Sequence, residues 1–127
     1  MTEGATTTFD IEALGRAFEA GDAEEVLAFY VDDHEHIEID ADAPPSSPRT
    51  RVGAEAVEFM RGAVGYMAAN GIKVGLENPV VGDDRAACTI SVSFPDGRRL
   101  LSNTIYDLKD GKVIRQLDIQ VADPEDA

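Results

Sequence analysis

A chain of 127 residues is long enough to bury a hydrophobic core of its own, without disulfides or a structural metal to hold it together. Its 43% hydrophobic and 28% charged residues, with 11 Gly and 6 Pro, exclude a disordered or fibrous protein and describe a folded one. The formal charge of −14 repels phosphate backbones and anionic lipid surfaces, which excludes nucleic acid and membrane as expected partners.

In chain order, Ile11, Leu14, Ala17 and Phe18 recur at three- and four-residue spacing, which predicts an amphipathic helix over residues 9–20 that stops at Gly21. Asp22 with Glu25 three residues on is a capping-box pattern for a second helix, with Val26, Leu27 and Tyr30 on its apolar side. Residues 34–40 alternate as a strand does, Ile37 and Ile39 on one face, His34, His36, Glu38 and Asp40 on the other. Pro44, Pro45 and Pro48 make residues 41–50 a loop. A third helix is predicted at about residues 54–69, where Val57, Met60, Val64 and Met67 form one stripe and Asn70-Gly71 closes it.

The period then changes to two. Strands are predicted at residues 72–81, 86–94, 100–108 and 113–121, separated by Gly82-Asp83-Asp84, Pro95-Asp96-Gly97 and Asp110-Gly111, turns short enough to join antiparallel neighbours. Helices that precede such a meander indicate an α+β fold with the helices on one face of the sheet. No internal repeat or boundary divides the chain, so we expect one domain over 1–127, ordered over about 9–121, with a short flexible start and an acidic tail at Asp123-Pro124-Glu125-Asp126. No apolar run is long enough to cross a bilayer and the start lacks a secretory pattern, so a cytoplasmic location is expected.

A three-residue turn at Lys109-Asp110-Gly111, with a bulge at Gly111, would place Ser102 opposite Asp118 and Thr104 opposite Gln116. One face of this strand pair is then polar (Ser102, Thr104, Tyr106, Gln116, Asp118 and Gln120), and the other carries Leu101, Ile105, Val113, Leu117, Ile119 and Val121. By pattern alone the apolar face belongs to the core. His34, His36 and Glu38 have spacing a metal could use, but two imidazoles are all the chain has, and no metal is expected. His36 is a candidate proton donor, Glu38 and Asp40 are candidates for a second acid, and Tyr30 and Tyr66 could bring hydroxyls to a pocket. The single cysteine, Cys88, sits in an apolar strand pattern and is read as a small buried hydrophobe. The absence of a Gly-rich phosphate loop, a nucleophile-elbow serine or a dinucleotide fingerprint argues against kinase, serine hydrolase and dehydrogenase.

Ala20-Gly21-Asp22 at the helix junction, Tyr30 to Asp33 before the first strand, Gly53 before the third helix and Asp110-Gly111-Lys112-Val113-Ile114 before the last strand resemble the nuclear-transport-factor-2-like superfamily. Within it the SnoaL-like polyketide cyclases are the most similar. The resemblance implies a cystatin-like cone: three N-terminal helices packed on a curved, mixed, mostly antiparallel sheet that encloses a largely apolar pocket. It reverses the reading of the last two strands by making their polar face the pocket lining. In the cyclases and the limonene-epoxide-hydrolase relatives an acid on the last strand points into the pocket, and Asp118 matches it; the cyclases pair that acid with a histidine on the preceding strand, where this chain has Thr104. Where the epoxide hydrolases hold a water with tyrosine and asparagine, Glu38 and Asp40 match loosely. The implied function is a cofactor-independent enzyme acting on a small hydrophobic molecule, as a polyketide cyclase or isomerase or like an epoxide hydrolase, with Asp118, His36 and Glu38 as the acid–base groups. The alternative is a non-catalytic ligand-binding or dimeric module, whose signature would be an exposed Asp118 and a pocket closed by side chains. A homodimer through the outer sheet face is also implied.

Overall fold

A computed structural model describes residues 8–124; the expected flexible start and the end of the acidic tail lie outside the described residues. Helix α1 (Ile11–Ala20) begins at Asp10, whose carboxylate accepts from Ala13 N at 3.0 Å, and turns Ile11, Leu14, Ala17 and Phe18 into the core. It ends at Gly21, whose φ of +68° is open to glycine at little cost; a Cβ there would lie 2.6 Å from Cβ of Ala68. Asp22 caps α2 (Ala23–Leu27) as its sequence pattern predicts, accepting from Glu25 N at 3.1 Å.

Tyr30 does not lie on that helix. It opens strand β1 (Tyr30–Ile39), four residues before the predicted start, because a register shift between Tyr30 and Glu35 breaks the alternation across Asp32-Asp33. The proline segment also does not stay a loop to its end. Arg49–Val52 form β2, a short edge strand antiparallel to β1, with Glu35 opposite Val52 and Glu38 opposite Arg49. Four residues directly after Pro48, half of them charged, carry too little periodicity to be seen as a strand. Helix α3 (Ala54–Ala69) and strands β3 (Lys73–Val81), β4 (Arg85–Ser93), β5 (Arg99–Lys109) and β6 (Lys112–Ala122) follow as predicted, within a residue or so at each end.

The sheet order is β2-β1-β6-β5-β4-β3, with β1 and β6 the parallel pair and every other pair antiparallel. Inserting β6 between β1 and β5 gives it neighbours from both halves of the chain. Helix α1 packs on β3 and α3 on β1, and between helices and sheet lies a core that includes the fully buried Leu14, Val26, Val64, Tyr106 and Val113. Cys88 is buried there too, and burial pushes its thiol up to about 11, in keeping with an inert core residue.

The β5–β6 register differs from the predicted one. Asp110 and Gly111 form a two-residue turn with φ of +54° and +78°, setting Lys109 opposite Lys112. Continued regularly, that turn would put Asp118 opposite Asn103, on the outer face. Ile114 is an extra residue, since Leu108 pairs with Val113 but Asp107 with Arg115, and it restores the parity. Thr104 therefore lies opposite Asp118, Ser102 opposite Gln120 and Tyr106 opposite Gln116. The predicted pairing was off by two residues, which leaves the side chains from Arg115 onward on their predicted faces; Val113, expected beside Leu101 and Ile119, lies before the extra residue and is instead buried in the core opposite Leu108. The polar face is the inner one: Ser102, Thr104, Tyr106, Gln116 and Asp118 are buried, while Leu101, Ile119 and Val121 are exposed on the outside.

Candidate active site

Three adjacent strands bring the central side chains together. Glu38 on β1 and Thr104 on β5 are both cross-strand partners of Asp118 on β6, and His36, two residues before Glu38, is the partner of Gln116. With inward positions recurring every second residue, the parallel β1–β6 pairing places an imidazole beside the Asp118 carboxylate. His36 Nε2 lies 2.6 Å from Asp118 Oδ2, and both residues are buried, at 2% and 5% exposure. The histidine that the resemblance places on the preceding strand is thus supplied from the other side of β6. Thr104 occupies the place on β5, and its hydroxyl donates to Asp118 Oδ1 at 2.9 Å.

The direction of every bond around Asp118 follows from its partners. The Tyr30 hydroxyl donates to Gln116 Oε1, which fixes the amide so that Gln116 Nε2 donates to Asp118 Oδ1 at 2.9 Å and Oδ2 at 3.2 Å. Thr104 spends its hydrogen on Asp118, so Ser102 Oγ, 2.9 Å from Thr104 Oγ1, donates to it. Burial, with the nearby Asp118 charge, pushes the Tyr30 hydroxyl well above its ordinary value, so it stays protonated and keeps its role as donor. Asp118 is the acceptor at the end of two converging chains, with Oδ1 taken by Thr104 and Gln116 and Oδ2 by His36 and Gln116.

Glu38, expected as a second acid, is buried at 7% exposure and committed elsewhere. Its Oε1 accepts from Arg49 Nη1 at 2.9 Å and Arg51 Nη1 at 3.0 Å. Arg49 also donates to Asp40 Oδ2 at 3.1 Å. Burial acts to raise the Asp40 carboxyl, but Arg49 and the backbone N–H groups of Asp42 and Ala43 outweigh it and hold the group below its usual value. Asp40 is therefore a structural anion at the end of β1. His36, Glu38 and Asp118 place a ring nitrogen and two carboxylate oxygens within 4.8 Å of one another, a spacing open to a cation. The two guanidinium groups on Glu38 already supply the compensating positive charge, which leaves the set poorly suited to a divalent ion.

A cavity of about 340 Å³ opens onto this cluster from between α3 and the sheet. Its floor includes His36, Glu38, Ser102, Gln116, Asp118 and Gln120; its walls are largely apolar, among them Phe59, Met60 and Met67 of α3, Val74, Ile90, Val92 and Leu100 of the sheet. This volume is near the lower end of the range for small-molecule sites. A larger groove of about 640 Å³ lies outside, between α1, α3 and β3, and contains none of the clustered acids or His36.

Of the residues predicted to line the pocket, Ser102, Gln116 and Gln120 do so, and Tyr66, 63% exposed, stands at the edge of the cavity. Thr104 and Tyr30 lie behind the lining and act through Asp118 and Gln116. Tyr106 is a fully buried core residue, and Asp40 is not among the lining residues. Three contributors escaped sequence reasoning: Phe59, whose ring lies 5.4 Å from that of His36; Arg51, whose guanidinium sits 3.6 Å from the Phe59 ring centroid; and Arg49. The spacing of Arg49 and Arg51, two residues apart and thus on one face of a strand, was the available signal.

No protein-family model matches the chain, and no curated protein matches it either. Solved structures do. An NTF2-like protein of unknown function from Mesorhizobium loti superposes with a TM-score of 0.72 at 14% identity, covering 87% of each chain. A candidate ketosteroid isomerase from Kribbella flavida gives 0.67 at 17% identity over 91% of this chain and 77% of the other. IdmH, a candidate polyketide cyclase from Streptomyces antibioticus, gives 0.60 at 20% identity over 89% and 88%. The fold is the α+β cone of NTF2-like and SnoaL-like proteins.

Proposed function

We propose that this protein is a cofactor-independent enzyme that moves a proton on a small hydrophobic substrate, as a polyketide cyclase or isomerase does. The observation that carries the reading is the His36–Asp118 pair, 2.6 Å apart and buried at the floor of an apolar cavity. A non-catalytic module would have no use for the cost of burying a carboxylate and orienting it with two converging chains of donors. Cyclisation of a polyketide and isomerisation of a ketosteroid both start by removing a proton from carbon beside a carbonyl, a step suited to an acid–base pair buried at the floor of an apolar cavity. The pair takes the proton, the electron pair moves to the carbonyl oxygen as an enolate, and the ionised carboxylate balances the charge that develops on the imidazole. Gln120, on the same lining, offers amide hydrogens to that oxygen, whereas Ser102 has already given its own to Thr104.

A thermal-shift screen of aromatic ketones, lactones and epoxides identifies ligands, and each hit is then followed for turnover by wild type and Asp118→Asn. Turnover of a ketone or lactone that is lost in the variant supports the reading; turnover that survives it removes Asp118 from the mechanism. We also propose that two copies pair through the outer sheet face, where Leu101, Ile119 and Val121 are exposed at 41%, 43% and 72%.

A further inference from the structure

Resting on that reading, we infer that the atom that meets the substrate is Nδ1 of His36, that Asp118 is a positioning residue, and that the ligand is an uncharged, mainly apolar molecule offering one acidic hydrogen. Both oxygens of Asp118 are already taken, by Thr104, Gln116 and His36. These partners all have hydrogen to give, so the carboxylate only accepts and His36 Nε2 carries the ring hydrogen. Nδ1 is then a bare lone pair. It is buried and has no hydrogen-bond partner among the described residues, on a ring that forms part of the cavity lining. An acceptor left this way costs stability unless a ligand satisfies it. Phe59 lines the same cavity with its ring 5.4 Å from the imidazole, so a ligand that reaches the imidazole packs against Phe59.

The lining supplies the rest of the specificity. No lysine or arginine is among the described residues that line the cavity, whereas Glu38 and Asp118 are, so an anion is disfavoured there. The walls accept rings or alkyl chains. What remains is a neutral molecule with an acidic C–H beside a carbonyl, or a phenolic O–H. In the reaction the C–H bond breaks, its proton goes to Nδ1, and its electron pair becomes the enolate. The imidazolium so formed, held through Nε2–H by Asp118, returns the proton.

The chain provides its own control. His34 Nδ1 lies 2.9 Å from the Val31 carbonyl, which can only accept, so His34 carries its hydrogen on Nδ1 and is the opposite tautomer. ¹⁵N NMR of histidine-labelled protein, assigned with His36→Gln, is expected to show one ring of each kind. The Asp118→Asn substitution is expected to invert His36. Two donors address the Oδ1 position, so the amide oxygen goes there and the amide nitrogen faces Nε2, forcing the hydrogen to Nδ1. Saturating wild type with 2-naphthol is expected to move the His36 Nδ1 resonance toward its hydrogen-bonded position, while 2-naphthalenesulfonate leaves it in place. A His36 protonated on Nδ1 in wild type, a Nδ1 resonance that 2-naphthol fails to move, or equal binding of the sulfonate overturns the assignment. If Nδ1 responds to 2-naphthol but no ketone or lactone is turned over, the acceptor site stands and the enzymatic reading falls.

Discussion

Thr104 shows how one hydroxyl substitutes for an expected imidazole without taking over its chemistry. It donates to the Asp118 carboxylate and is itself reached by Ser102, so it fixes the acid and leaves proton transfer to His36. Hydrogen bonds to a charged, buried group stabilise by about 1.5–3 kcal/mol, and Thr104→Val is expected to lower unfolding stability in urea by about that amount. An unchanged midpoint would mean that the carboxylate finds the lost donor elsewhere. His34 makes a separate prediction. Burial, the largest influence on it, lowers its affinity for a proton in the folded chain, so on acidification the unfolded chain binds the proton first. Its contribution is whole above the unfolded value of about 6.5 and declines as pH falls toward the lowered folded value. Between about pH 7.5 and about pH 5.5, wild type is therefore expected to lose more stability than His34→Gln, and parallel losses would contradict the assignment. At this scale Asp118 and His36 were visible in the sequence as residue types on the right strands. The family resemblance grouped them, with Glu38, as the acid–base set, but which of His36 and Glu38 meets Asp118 depends on β1 lying beside β6 in parallel, and His36 and Asp118 are 82 residues apart in sequence.

Among elements, those with a long period and a clear stop were legible: the cap at Asp22, the end at Gly21, helix α3 and the four-strand meander. Gly21→Ala is expected to cost about 1–3 kcal/mol, seen as a lower melting temperature, because the new Cβ meets Ala68 at 2.6 Å in a backbone conformation that disfavours side chains. A variant as stable as wild type would mean that α1 and α3 pack more loosely than described. Strand β2 was missed because it is short, charged and preceded by proline, so its two arginines, which hold Glu38, were missed with it. The β5–β6 register was missed by two residues because the Asp110-Gly111 signal was widened to a three-residue turn with its bulge at Gly111, while the actual extra residue, Ile114, has no local signature. A bulge is fixed by how neighbouring strands meet, and that information lies outside the strand itself.

For the molecule as a whole, the pattern of polar and apolar faces gave the wrong orientation by itself, and the family resemblance gave the right one. On β5 and β6 the polar side chains of the site face inward and Leu101, Ile119 and Val121 face outward, the reverse of a sheet that only covers a core, while the rest of the inner face stays largely apolar. That outer surface predicts association. Gel filtration with light scattering is expected to give a dimer that Ile119→Glu with Val121→Glu converts to a monomer, and a wild-type monomer at high concentration would count against pairing. The central claim is that the buried His36–Asp118 pair moves a proton on a ligand in the cavity. Its most direct test is turnover of a ketone or lactone found by thermal shift, compared among wild type, His36→Gln and Asp118→Asn. The account predicts that both variants still bind the ligand but lose at least about 100-fold in kcat. Retention of wild-type kcat in either variant would contradict it.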